Sequence, residues 1–154
     1  MKKTIIIGDK APDFELINQL GLKIRLFDLI GTENIVLFFY PKDDSPGCTK
    51  EVCAFRDSYE AFQEYGAEVI GISSDNEDSH RRFTEKHSLP YTLLSDVEGK
   101  VRKLYGVPKT MGILLGRVTY IIDKQGVVKH IFNSQLNLNG HIKEALNILK
   151  QLKN

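Results

Sequence analysis

Sulfur is scarce in this chain, with two cysteines and two methionines among 154 residues. The cysteines cannot complete a structural zinc site, because His80, His87, His130 and His141 form no Cys/His spacing that would supply the remaining ligands. Four residues separate Cys48 from Cys53, so the Cys-x-x-Cys pair of thioredoxin-type oxidoreductases is missing too. Charge of one sign is equally lacking: a net charge of +1 gives no electrostatic case for a nucleic-acid or membrane partner. No apolar run is long enough to span a bilayer. The stretch Thr4-Ile5-Ile6-Ile7 after Met1-Lys2-Lys3 stops at Gly8, short of the roughly seven apolar residues that a signal peptide needs. The sequence has no internal repeat, linker, low-complexity segment or cofactor-binding motif. What is left is one domain over residues 1–154, apolar enough at 42% for a single core. It is expected in a reducing, cytoplasmic compartment, where two cysteines point to catalysis rather than to a structural bridge.

Both cysteines fall in one stretch, Tyr40-Pro41-Lys42-Asp43-Asp44-Ser45-Pro46-Gly47-Cys48-Thr49-Lys50-Glu51-Val52-Cys53. Just upstream, Ile35-Val36-Leu37-Phe38-Phe39-Tyr40 is a β-branched and aromatic run of strand length, bounded by Gly31-Thr32-Glu33-Asn34 and by Pro41. It reads as a buried central strand. Ser45 followed by Pro46 marks a helix start, since the hydroxyl can accept from an orphan N–H and proline has none to lose. Cys48 then lies in the first turn. There the free N–H groups and the positive end of the helix dipole favour a thiolate, and cysteines so placed are brought from about 8.5 down to roughly 3.5–7.5. The thiolate is the reactive form.

Continued at about 3.6 residues per turn, this helix puts Cys48, Val52, Phe55, Tyr59 and Phe62 on one face, with Cys53 roughly 140° away beside Asp57, Glu60 and Glu64. On an ideal helix the two cysteine Cα atoms are roughly 8.7 Å apart, beyond the limit of about 7 Å for a disulfide. A bond between them therefore requires the first turns to melt. From the residues alone, Cys53 is explained as well by a small apolar filler as by chemistry. Cys48 is not, because the cap, the proline, the glycine and the strand all converge on it.

These residues resemble a known family. Pro41-x-x-x-Ser45-x-x-Cys48 is similar to the peroxiredoxin signature Pro-x-x-x-Thr/Ser-x-x-Cys, and the neighbouring Cys53 resembles the branch of bacterioferritin comigratory protein and peroxiredoxin Q. The likeness extends to Gly8-Asp9-Lys10-Ala11-Pro12-Asp13-Phe14, to Phe39-Tyr40-Pro41-Lys42-Asp43-Asp44 and to Gly116-Arg117-Val118-Thr119-Tyr120-Ile121-Ile122-Asp123. The resemblance implies a thiol-dependent peroxidase acting on hydrogen peroxide and organic hydroperoxides. Cys48 is then the peroxidatic cysteine and becomes a sulfenic acid; Cys53 is the resolving cysteine and forms an intramolecular disulfide, reduced by thioredoxin or a similar dithiol protein. Arg117 would hold the thiolate and the peroxide oxygens, Ser45 would hydrogen-bond the peroxide, and Pro41 would shield the sulfur from water. No metal or organic cofactor is implied, since displacement at oxygen needs a thiolate, donors and a dry wall. Serine in place of the commoner threonine keeps the hydroxyl and loses the methyl that fixes its rotamer, which bears on rate.

Sequence spacing alone does not place Arg117 beside Cys48. An arginine heading a strand is otherwise a snorkelling surface residue, and Glu51 either orders Arg117 or complements the helix N-terminus. Two other classes compete with the two-cysteine enzyme: a one-cysteine peroxidase with a structural Cys53, and a non-catalytic redox sensor or holdase.

The remaining pattern suits an α/β thioredoxin-like fold, a central mixed sheet flanked by helices with an N-terminal β extension. Glu68 to Ser73 reads as a strand parallel to the first, Ser79 to His87 as a surface helix, Tyr91 to Leu94 as a strand and Glu98 to Tyr105 as a helix. Val118 to Ile122 and Val127 to Phe132 flank the hairpin signal Asp123-Lys124-Gln125-Gly126. Ile142, Ala145, Leu146, Leu149 and Leu152 mark an amphipathic last helix. Asp43 and Asp44 read as turn formers. The apolar loop Val107 to Leu115 either packs on the sheet or forms a collar near Cys48. A polar flank around Cys53 is compatible with a monomer.

Overall fold

The computed structural model describes residues 5–110 and 114–153. Its elements are β1 (Glu15–Asn18), β2 (Lys23–Arg25), α1 (Leu26–Leu29), β3 (Asn34–Phe39), α2 (Pro46–Asp57), α3 (Tyr59–Glu64), β4 (Ala67–Ser73), α4 (Glu77–His87), β5 (Thr92–Ser95), α5 (Lys100–Tyr105), β6 (Lys109–Thr110), β7 (Leu114–Leu115), β8 (Val118–Ile122), β9 (Val128–Asn133) and α6 (Leu138–Lys153).

Seven strands form one mixed sheet in the order β2-β1-β5-β4-β3-β8-β9. β3 lies at its centre, parallel to β4 and antiparallel to β8. Every residue of β3 is buried, which explains why the run shows no polar alternation: both faces of the sheet are covered. Val36 and Phe38 point into one core with Cys48, Val52, Phe55 and Phe62 of α2 and α3 and with α6 residues Ile142, Ala145 and Leu149. Ile35, Leu37 and Phe39 point into the other, with Leu26, Tyr105 and Tyr120. The two-residue period thus builds two cores from one strand.

The register of β3 against β8 decides where the site forms. Phe39 pairs with Val118, so the residue before β8, Arg117, is brought beside the segment that leaves β3 at Tyr40 and leads to Cys48. The short N-terminal pair β1 and β2 extends the sheet through β5. Its segments carry too few residues for a periodic signal.

Three expectations need correction. The cysteine helix does not run through to α3: at Ser58 (φ −102°, ψ 4°) the chain leaves α2, and its N–H bonds to the Ala54 and Arg56 carbonyls. The surface helix begins two residues earlier than expected, because Asn76 accepts from the Ser79 N–H at 2.9 Å and caps it. Asp43 is no ordinary turn residue, being 3% exposed and fully engaged in hydrogen bonds. Met111 to Ile113, the middle of the apolar loop, lie outside the described residues.

Candidate active site

The expected helix start is in place, with an unexpected use of Ser45. Ser45 is the N-cap residue of α2, in extended backbone conformation with Pro46 next, but its side chain makes no capping bond. Instead Ser45 Oγ donates to the Lys42 carbonyl at 3.1 Å. Its proton is therefore committed, and its lone pairs are left to accept. The first-turn N–H groups are not claimed by a cap either, so the positive end of α2 stays open to an anion.

Cys48 is fully buried in that first turn, whereas Cys53 is half-buried in the same unbroken helix, and both are free thiols. Arg117 reaches in from the start of β8: its Nη2 donates to Cys48 Sγ at 3.4 Å and its Nη1 to Glu51 Oε1 at 2.6 Å. Burial disfavours the Arg117 cation, but Glu51 and Cys48 outweigh it and hold the guanidinium above its usual range. Arg117 Nε is buried without a hydrogen-bond partner among the described residues. Gly47 allows the approach, since a Cβ there would sit 3.3 Å from Arg117 Nη2. Pro41 is half-buried at the exit of β3.

Sequence reasoning left Glu51 between two roles and passed over four further groups. Glu51 is completely buried, and burial, opposed by Arg117, pushes its carboxyl up to about 7. His141 of α6 lies with Nδ1 3.6 Å from Glu51 Oε2 and is held down at about 4, chiefly by burial and further by the Arg117 charge. Thr119 Oγ1 is 2.8 Å from the same nitrogen. Arg102 ties the two backbone segments of the site together, donating to the Tyr40 carbonyl through Nη2 and to the Gly116 carbonyl through Nη1, each at 3.0 Å. Asp43 anchors the loop between β3 and α2: it accepts from Tyr40 Oη at 2.6 Å and Ser79 Oγ at 2.8 Å, and lies 2.7 Å from His80 Nδ1. Asp43, Asp75 and His80 place ligand atoms within 4.8 Å of one another, but those atoms are taken up by internal hydrogen bonds. Only the short carboxylate-to-cysteine spacing of Glu51 was visible in sequence; the others meet by topology.

A buried cysteine at a helix N-terminus, held by an arginine that a buried carboxylate anchors, is a site built to form and use a thiolate. The model of the AhpC/TSA family matches residues 7–131. The chain belongs to this family. Peroxiredoxin Q, chloroplastic, of Arabidopsis thaliana is 54% identical over 144 residues, which cover 93% of this chain and 66% of the relative. The protein of the same name from rice, Oryza sativa subsp. japonica, is 52% identical over 146 residues, covering 94% and 67%. The chain thus spans about two thirds of the length of these plant proteins. Among solved structures, peroxidoxin BcpB from Mycobacterium tuberculosis superposes with a TM-score of 0.89 at 38% identity, over 96% of this chain and 98% of the other. Peroxiredoxin Q of Xanthomonas campestris gives 0.85 at 27% identity, over 92% of each chain. The fold is therefore thioredoxin-like, and the protein is a thiol-dependent peroxidase of the peroxiredoxin Q branch, with a peroxide as substrate and a thioredoxin-like dithiol as reductant.

Proposed function

We propose that Cys48 is the peroxidatic cysteine and Cys53 the resolving cysteine, with Arg117, Ser45 and Pro41 holding and shielding the reaction, in a monomer of a reducing, cytoplasmic compartment. The observation that carries this reading is the contact of Arg117 Nη2 with Cys48 Sγ at 3.4 Å inside the first turn of α2. The Cys48 thiolate attacks the terminal oxygen of R'O–OH. The O–O bond breaks, a sulfenic acid forms, and the leaving oxygen takes a proton to become R'OH. The Arg117 guanidinium stabilises both the attacking sulfur and the charge developing on the leaving oxygen, and its unpartnered Nε is a donor for the second role. Ser45 Oγ, its own proton committed to Lys42, accepts from the hydroperoxide O–H.

Cys53 then attacks the sulfenic sulfur and releases water, giving an intramolecular disulfide that a dithiol reductant reduces. In the helix the two thiols are too far apart for that bond, so resolution requires α2 to unwind. A resolving thiol also protects the sulfenic acid from further oxidation. Because both sulfurs belong to one helix, a second copy of the chain is not needed to complete the cycle.

Intact mass after one equivalent of hydrogen peroxide, for the wild type and Cys53→Ser, tests the roles. The expected result is loss of two hydrogens with reduced far-UV helicity in the wild type, and gain of one oxygen in the variant. Thioredoxin-coupled turnover is expected only in the wild type. A Cys48 that stays reduced would refute the assignment, and a Cys53→Ser variant with full thioredoxin turnover would make Cys53 structural.

A further inference from the structure

The reaction above leaves Glu51 Oε2 without a role. Glu51 follows Cys48 by three residues, on the same face of α2. Its Oε1 accepts from Arg117, while Oε2 is buried with no hydrogen-bond partner among the described residues. His141 Nδ1 lies 3.6 Å away, beyond hydrogen-bond reach. His141 Nε2 lies 2.7 Å from the Ser134 carbonyl, which can only accept, so the ring hydrogen is on Nε2 and Nδ1 carries the lone pair. A bare carboxylate oxygen facing a lone pair in a dry site is costly. Protonation of Oε2 removes that charge.

We propose that Glu51 holds the proton that Cys48 gives up: in the reduced enzyme the carboxyl is neutral, protonated at its unpartnered Oε2, and Arg117 is left to the thiolate. This rests on Cys48 being the peroxidatic thiol. Arg102 also interacts electrostatically with Cys48, but its Nη1 and Nη2 are committed to backbone carbonyls, so the two acidic groups share one guanidinium, Arg117, as hydrogen-bonded cation. The groups facing Glu51 are Arg117 from β8, His141 from α6, Tyr91 ahead of β5 and Cys48 on its own helix. Tyr91 is kept neutral by burial and His141 likewise, which leaves Arg117 as the cation among these four groups.

The balance closes without an external acid. Cys48–SH and Glu51–COO⁻ become Cys48–S⁻ and Glu51–COOH, with no change in net charge. When the thiolate has become a neutral sulfenic acid, Arg117 turns to Glu51, the carboxyl ionises again, and the released proton matches the one that the leaving oxygen takes up. The sum is Cys48–SH plus R'OOH giving Cys48–SOH plus R'OH. Thr119 Oγ1, at 2.8 Å, donates to Nδ1 and takes up its one lone pair, so no hydrogen bond among the described residues holds the Glu51 proton against its release. Glu51 and His141 are positioning residues that act through Arg117.

Difference infrared spectroscopy on the full reduced chain at neutral pH reads the proton directly. A buried carboxylic-acid carbonyl band is expected in the wild type and absent from Glu51→Gln. The same band should vanish in Cys48→Ser, where Arg117 has no thiolate to match and claims Glu51. In Cys53→Ser it should bleach as one equivalent of hydrogen peroxide forms the sulfenic acid. The pH profile of the first oxidation should lose one of its two steps in Glu51→Gln. A wild type without the band, or a band that persists in Cys48→Ser, would overturn the proposal. Failure of the peroxidase reading looks different, as Cys48 would then not gain oxygen at all.

Discussion

The buried pair Glu51 and His141 should make this protein's stability unusually flat between about pH 4.5 and 6.5, and replacing Glu51 by glutamine should expose a steep acid limb. Glu51 is raised from 4.5 to about 7, so the folded state keeps a proton that the unfolded chain has released between those values. Its contribution is fully present below about 4.5 and is lost as the pH rises through about 7. His141 is lowered from 6.5 to about 4, so the folded state lacks a proton that the unfolded chain holds. That contribution is present above about 6.5 and is lost as the pH falls through about 4. Each window is about 2.5 pH units wide. At about 1.4 kcal/mol per unit, each contributes on the order of 3 kcal/mol, with opposite slopes where they overlap. In Glu51→Gln only the histidine slope remains, and stability should fall by about 3 kcal/mol between pH 6.5 and 4 relative to the wild type. With a urea m-value of about 2 kcal/mol/M, that is a relative loss of roughly 1.5 M in midpoint. Urea unfolding of the reduced proteins at half-unit pH steps gives the measurement. Carboxylates common to both proteins titrate alike and cancel in the difference. Parallel profiles for the two proteins from pH 4 to 7 would refute the coupling of burial to protonation at this site.

Three further outcomes follow from the same geometry. Arg117→Gln removes the cation that touches Cys48 Sγ and should slow the first oxidation by about 10²- to 10³-fold while far-UV circular dichroism stays unchanged, read as the rate of oxygen gain by mass. Gly116→Ala places a Cβ 2.2 Å from the Pro108 carbonyl oxygen, a backbone atom that cannot step aside. It should cost about 1–3 kcal/mol, seen as a lowered Tm. Asp43→Ala leaves Tyr40 Oη, Ser79 Oγ and His80 Nδ1 without their shared partner in a buried setting and should destabilise by about 3–5 kcal/mol in urea unfolding.

How much of this was legible in the sequence depends on how local each cause is. Strand β3 and the start of α2 are written in contiguous residues, and both appear where the apolar run and the Ser45-Pro46 pair put them. The Ser45 side chain went elsewhere because the Lys42 carbonyl, three residues back in the same turn, competes for its hydroxyl. Arg117 meets Cys48 across 69 positions of sequence only because β8 pairs with β3 in a register that sets Val118 opposite Phe39. Without the family resemblance, nothing in the residues around Arg117 separated it from a surface strand end. His141 was harder still. It sits on the buried face of α6 and meets Glu51 through the packing of that helix on α2, which periodicity marks as core without naming its neighbours.

The same packing bears on how α2 can open. Its C-terminal half is pinned: Phe55 stacks on Phe38 at 4.3 Å with ring planes 15° apart, and Tyr91 Oη donates to the Val52 carbonyl at 2.7 Å. Its N-terminal turn is held through Cys48 alone, buried and touched by Arg117, since Ser45 does not cap it and Gly47 has no side chain to pack. On the proposed reading, melting therefore proceeds from Pro46 and meets resistance at Val52, one residue before Cys53. Cys48 is then the sulfur that travels and Cys53 the one that waits. Arg117 opposes the departure for as long as Cys48 is an anion and ceases to once the sulfur is a neutral sulfenic acid. The chemistry that creates the need for unwinding thus frees Cys48 itself from Arg117, and the Arg117–Glu51 contact at 2.6 Å becomes the polar hold that unwinding must still break.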